Sequence, residues 1–253
     1  MNNKNKIKNK IEIKTILPVY FSLTTVPSRI ERTKRIIKDI LENVHGFERL
    51  FLNIPTTYKN TKYGQLSSRD LFALTELETK YPSRFKINRS SIDYGPITKI
   101  LPVLQRNLIP KESILLIFDD NCYHYDAFKL IAEKQDKNLS KTFTYYSYEF
   151  KNVRVPQGVD IISFYVPYLD DFVNYVQRAL QTKHCFFVDD LVIAKYLQNK
   201  GIPIEDVQRR WTWPWIPDCY NIPDKSSLFS QTGEFSRNNS MHYCYKSLNK
   251  LDF

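Results

Sequence analysis

Glycine is scarce in this chain, six residues out of 253: Gly46, Gly64, Gly95, Gly158, Gly201 and Gly233. No two lie close enough to build G-x-G-x-x-G or a P-loop, which excludes the dinucleotide-binding fingerprint and the P-loop NTPases. Cysteine is rarer still. Cys122, Cys185, Cys219 and Cys244 are far apart and form no C-x-x-C pair, so zinc-ribbon and redox motifs are absent. The leading Asn/Lys stretch has no apolar core and is not expected to act as a secretory leader. The simplest expectation is therefore free thiols in a reducing, cytoplasmic setting, although spacing alone leaves a tertiary disulfide open. Long apolar runs are missing too. The longest candidate, Ile114 to Phe118, falls far short of the ~20 residues a membrane span takes, so no span is expected.

What is present fits an ordinary globular chain. Hydrophobic residues at 42% and charged residues at 25% exclude disordered, collagenous and disulfide-scaffold classes. Residues 1–14 hold five lysines against Glu12 alone and are read as a basic, flexible arm, with one domain of two lobes over 15–253. The formal net charge of +10 suits a polyanionic ligand such as a nucleotide diphosphate, and equally a plain solubility bias. Its basic residues are scattered rather than gathered in a stripe, so nucleic acid is not an expected partner.

The first half alternates strands and helices. Residues 15–24 read as a buried strand, followed by a helix opened by a Ser28-x-x-Glu31 capping box and closed at Gly46. Strands follow at 48–54 and 84–89, around a helix capped by Ser67 or Ser68 that runs to about Tyr81. Asp93-Tyr94-Gly95-Pro96 launches a helix to about Asn107. Ile114 to Phe118 is a buried strand that delivers Asp119-Asp120-Asn121 at its carboxyl end, where parallel α/β sheets place their ligands. Strands are expected at 142–148, 153–155 and 159–166, helices at 169–182 and 189–200, and ordered loops beyond Arg210.

Two acidic pairs stand out. Asp119-Asp120-Asn121 follows a short apolar strand, where carboxylates can hold a divalent cation and a ribose together; a surface turn after a strand produces the same pair. Asp189-Asp190 opens a helix. A helix cap explains one carboxylate there, and a general base for a hydroxyl acceptor explains the other. Trp211, Trp213 and Trp215 suit either a sugar-stacking platform or a cap on the core.

Several blocks, taken in order, carry a resemblance. Ser22-Leu23-Thr24-Thr25-Val26-Pro27-Ser28-Arg29-Ile30, Asn53-Ile54-Pro55, Asp93 through Leu101, Ile117 through Asn121, and Phe187 through Leu191 with Tyr196-Leu197 and Gly201-Ile202 resemble the blocks of GT-A-type glycosyltransferases known in large DNA viruses and bacteria. Arg237-Asn238 resembles the closing block more loosely. The resemblance spans residues 22–250. It implies an α/β fold with a Rossmann-like mixed sheet flanked by helices, a nucleotide-binding N-terminal half and an acceptor-binding C-terminal half. It further implies a hexosyltransferase-like enzyme that moves a sugar from a nucleotide-diphosphate donor, UDP by family habit, to a hydroxyl of a glycan or glycoprotein. For a viral chain the compartment would be the host cytoplasm.

On that resemblance Thr24, Thr25, Arg29, Asp93, Tyr94, Lys99, Asp119 and Asp120 would bind the nucleotide sugar. Asp119, Asp120 and Asn121, joined by His242, would hold Mn2+ or Mg2+. Asp190, with Asp189 beside it, would be the base of an inverting displacement. Asn121 departs from the usual third Asp and is a weaker ligand, which leaves three outcomes: weaker metal dependence, coordination carried by Asp119 or Asp120, or loss of activity. If metal is weak, Arg29, Lys99 and Arg237 would neutralise the leaving diphosphate instead. Two alternatives stand beside the transferase: a metal-dependent nuclease using the four acids, and a catalytically degenerate sugar- or nucleotide-binding module.

Overall fold

The computed structural model describes residues 10–59, 64–157, 161–207 and 233–251. The elements are β1 (Ile11–Glu12), β2 (Val19–Thr24), α1 (Ile30–Asn43), β3 (Val44–His45), β4 (Arg49–Pro55), α2 (Ser68–Lys80), β5 (Phe85–Ser90), α3 (Leu101–Gln105), β6 (Ile114–Ile117), α4 (Tyr125–Lys137), β7 (Thr142–Thr144), β8 (Ser147–Phe150), β9 (Val153–Pro156), β10 (Ile162–Tyr165), α5 (Phe172–Ala179), α6 (Asp189–Asn199), β11 (Ile204–Asp206) and α7 (Arg237–Leu248). Seven strands form one mixed sheet in the order β11-β7-β10-β6-β2-β4-β5. Strands β6, β2, β4 and β5 run parallel, while β10 is antiparallel to both β6 and β7. Inside the segment read as an arm, Ile11–Glu12 pairs with Val44–His45.

Side-chain alternation along the strands explains why the sheet is covered on both faces. In β6, Leu115 and Ile117 enter one core with residues of α3, α5, α6 and α7, while Ile114 and Leu116 enter the other with residues of α1, α2 and α4. The continuous apolar reading of this strand is two period-2 stripes, one per core. In β2 and β4 the same alternation turns Tyr20 and Phe51 toward the first core. Ser22 and Asn53, two residues further on, are completely buried near the carboxyl edge.

Several local expectations are corrected. The Ser28-x-x-Glu31 capping box does not form. Pro27 opens a 3-10 turn, closed by the Arg29 N–H on the Val26 carbonyl at 2.9 Å, and α1 starts one residue after it without a side-chain cap. The helix after Asp93 is broken at Ile100 into a 3-10 turn, Gly95–Lys99, and the short α3, where Pro102 offers no N–H. The strand expected over 142–148 divides into β7 and β8. The tail read as loops contains α7, capped by Ser236 on the Asn239 N–H. By contrast Ser67 caps α2 with a reciprocal Asp70 box.

The free-thiol expectation is overturned. Cys185 and Cys244, 59 residues apart, form a disulfide, and Cys122 is also disulfide-bonded. Spacing carries no information about such a pairing, because the fold alone brings the two residues to a Cα separation of 4.8 Å. Among the described residues no helix is long and apolar enough to cross a membrane. Trp211, Trp213, Trp215 and Cys219 lie outside the described residues.

Candidate active site

β2, β4 and β5 carry a buried polar ladder toward their carboxyl ends. Asn88 donates from its amide to Asn53 Oδ1 at 2.8 Å, and Asn53 donates to Ser22 Oγ at 2.7 Å. Ser22 Oγ and Asn53 Nδ2 both donate to the Lys99 carbonyl, at 2.5 and 3.2 Å, and Arg106 closes the far end on Asn88 Oδ1. Each buried amide here has a partner, as burial demands. The ladder fixes the backbone of Lys99, and so the direction in which its side chain leaves.

That side chain is 1% exposed and ends between two carboxylates: Nζ is 2.5 Å from Asp119 Oδ1 and 3.0 Å from Asp189 Oδ2. One ammonium thus joins the end of β6 to the start of α6. Burial works against its charge, but Asp119, Asp189 and Asp190 outweigh it and raise the lysine above its ordinary value. Burial likewise pushes Asp119 up, but Lys99, Arg29 and Arg237 hold its carboxyl below the usual range. With its side chain 34% exposed, Asp119 is the acid of this cluster most open to an incoming ligand.

Asp120 points the other way. Its carboxylate accepts from Thr25 Oγ1 at 2.6 Å, Thr33 Oγ1 at 3.3 Å and Arg29 Nη1 at 2.9 Å. It pins the loop after β2 and the first turns of α1 against the end of β6. Asn121 accepts from Arg32 Nη2 at 2.7 Å.

Asp189 and Asp190 are the first two residues of α6, and neither caps it. Asp190 Oδ2 is 3.3 Å from Arg237 Nη2, which also donates to the Tyr148 hydroxyl at 3.3 Å. Burial and the neighbouring Asp189 push the Asp190 carboxyl up to about 7, against the pull of Arg237 and Lys99. The turn at Gly95 places this pair. Its φ is +70°, and a Cβ there would meet the Phe186 carbonyl oxygen at 2.4 Å, so only glycine lets the segment before α6 approach so closely.

The expected nucleotide-binding residues divide into two groups. Asp119, Lys99, Arg29, Thr25 and Asp120 come together around the end of β6. Thr24 instead donates to the Asn53 carbonyl, and the Asp93 carboxylate accepts from the N–H groups of Gly95 and Lys59, both at 2.8 Å, so it braces the loop. Tyr94 is buried, with its ring in the core. The four expected metal ligands do not converge. Asp119 faces Lys99, Asp120 faces Arg29, Asn121 faces Arg32, and His242 is exposed on α7 beside Lys151 and Lys246, which lower its affinity for a proton. Among the described residues no group of three His, Cys, Asp or Glu side chains is placed to hold a metal ion. The residues present do not fit the Mn2+ or Mg2+ that the resemblance implies.

Asn53, Asn88, Arg106 and Arg32 have no role assigned from sequence, and Tyr148 is expected as a strand residue first and a ligand contact second. The signal for the first was visible: an Asn inside the apolar run Leu-Phe-Leu-Asn-Ile is a buried polar residue, which is more informative than an exposed apolar one.

No family model matches the chain, and no curated protein does. Thirty-one solved chains match. One is the mannosyltransferase PcManGT from Pyrobaculum calidifontis, solved with GDP-mannose and Mn2+: 10% identity, TM-score 0.45, with 81% of this chain and 59% of that one covered. This chain thus spans less than two thirds of that protein's length, and so slight a likeness carries neither ligand nor reaction across.

Proposed function

We propose that this chain is a glycosyltransferase that moves a sugar from a nucleotide-diphosphate donor to a hydroxyl acceptor by a single inverting displacement. The observation that supports the reading is the meeting of Asp119 at the end of β6 with Asp189 and Asp190 at the start of α6, across one buried ammonium. The donor side is the β6 end with Arg29, and the acceptor side is the Asp190–Arg237–Tyr148 corner. Asp190 takes the proton of the acceptor hydroxyl. The acceptor oxygen bonds to the anomeric carbon, the bond from that carbon to the phosphate oxygen breaks, and its electron pair leaves with the nucleoside diphosphate. A carboxyl tuned to about 7 is matched to accepting a proton near neutral pH. The nuclease reading fares worse, because each of the four acids lies against Lys99, Arg29 or Arg237 rather than facing a shared metal position.

The test is a thermal-shift panel of nucleoside diphosphates and nucleotide sugars, with uridine and guanosine donors first. A ligand at 100 times its dissociation constant stabilises by about 2.7 kcal/mol, which moves Tm by several degrees at about 2–4 °C per kcal/mol. A shift with one base family, followed by release of that diphosphate on turnover, is expected. No shift with any donor would overturn the reading.

A further inference from the structure

We infer that Lys99 is the resident counter-cation of this site: it stands where the carboxylates would otherwise gather a divalent metal, and donor binding by this chain is independent of Mn2+ and Mg2+. The metal half of the inference rests on geometry alone, and the donor half rests on the transferase reading above. A hard divalent cation takes about six oxygen ligands, and even one that draws most of them from water and a diphosphate needs one or two protein carboxylates free to turn toward it. Here the Asp119 and Asp189 oxygens that face each other are bridged by one ammonium, at 2.5 and 3.0 Å. Asp120 is held by Arg29, Thr25 and Thr33, Asn121 by Arg32, and Asp190 by Arg237. A metal entering this cluster would have to displace a buried ammonium or sit beside it, and like charges a few ångströms apart repel.

Lys99 cannot swing aside easily. Its carbonyl is gripped by Ser22 and Asn53, and its side chain is 1% exposed. For the same reason it does not touch a diphosphate itself. The positive charge presented to the diphosphate comes from Arg29, on the donor side, whose side chain is 20% exposed. Lys99 is a positioning residue: it sets the separation of Asp119 from Asp189 and keeps their charge from recruiting a cation. The Asn121 departure fits this arrangement, since a site without a metal has no need of a third carboxylate.

The experiment is a Mn2+ titration of the full chain followed by electron paramagnetic resonance of free Mn2+, for wild type, Lys99→Met and Lys99→Gln, without nucleotide. Removing one positive charge from among three carboxylates should tighten Mn2+ binding by at least about tenfold in both variants. Lys99→Gln keeps a hydrogen-bonding side chain in case the methionine variant does not fold. Saturable Mn2+ binding by the wild type as tight as in the variants would overturn the inference, as would no gain in either. In parallel, calorimetry of UDP and GDP with wild type should give the same affinity in EDTA and in Mn2+; tenfold tighter binding in Mn2+ would also overturn it. If neither nucleotide binds under either condition, the donor half falls together with the transferase reading. The Mn2+ titration still decides what Lys99 does.

Discussion

Asp190 and Asp119 are both carboxyls in one buried cluster, yet they are driven in opposite directions. Asp119 has an ammonium at 2.5 Å and stays ionised; Asp190 has a guanidinium at 3.3 Å and a carboxylate for a neighbour, and is pushed up to about 7. Two acids separated in this way can serve two roles, one as fixed charge and one as proton acceptor. The sign of the pH dependence follows. Asp190 must be ionised to act as a base, so kcat should climb as pH rises through about 7 and level off above it. Asp190→Asn should lower kcat by about 10²–10⁴-fold, the usual contribution of a general base, and flatten that limb. Donor affinity should hold within a few-fold. Equal loss of binding and turnover would make Asp190 a donor-positioning residue.

Turns set how closely the elements of the site approach, and Gly95 is the sharpest instance. At φ +70° and with the Phe186 carbonyl 2.4 Å from where a Cβ would stand, Gly95→Ala must both strain the backbone and push back the segment leading to Asp189. The left-handed conformation alone costs an L-residue about 1–2 kcal/mol, so Tm should fall by at least about 2–8 °C. Turnover should fall as well, because Asp189 and Asp190 ride on the displaced segment; an unchanged kcat at a temperature where the variant is folded would show that the approach matters only for stability. The turn was legible in the sequence because Asp-Tyr-Gly-Pro admits few other readings. The apolar strands were legible too, β6 above all, and with them the placing of Asp119 and Asp120 at a carboxyl edge. Helix α7 was not. Its buried stripe is Ser240, Met241, Cys244 and Leu248, only three apolar side chains with a serine, and it opens on Arg-Asn-Asn. The resemblance marked Asp119–Asn121 as a ligand set, but no local pattern shows that Lys99, 20 residues earlier, comes up between the acids.

The disulfide joins the short segment that leads into α6 to helix α7. Cys185 lies four residues before Asp189. Cys244 lies on α7 two turns beyond Arg237, about 10 Å along the axis at 1.5 Å per residue. The cross-link therefore ties the element that carries the proposed base to the element that carries its guanidinium partner. Loss of a native disulfide typically costs about 2–4 kcal/mol, so Cys185→Ala with Cys244→Ala should lower Tm by about 4–16 °C. A second effect separates a staple from a positioning device. Arg237 lowers the Asp190 proton affinity, against burial and Asp189, so an α7 that drifts should let the carboxyl rise further above about 7. The acid limb of the kcat–pH profile would then move to higher pH in the double variant, and Arg237→Met would move it the same way with the disulfide intact. A lower Tm with an unmoved limb would mean that the disulfide only holds the fold. A moved limb in both variants would mean that oxidation of two buried thiols is part of how this site sets the pH at which it works.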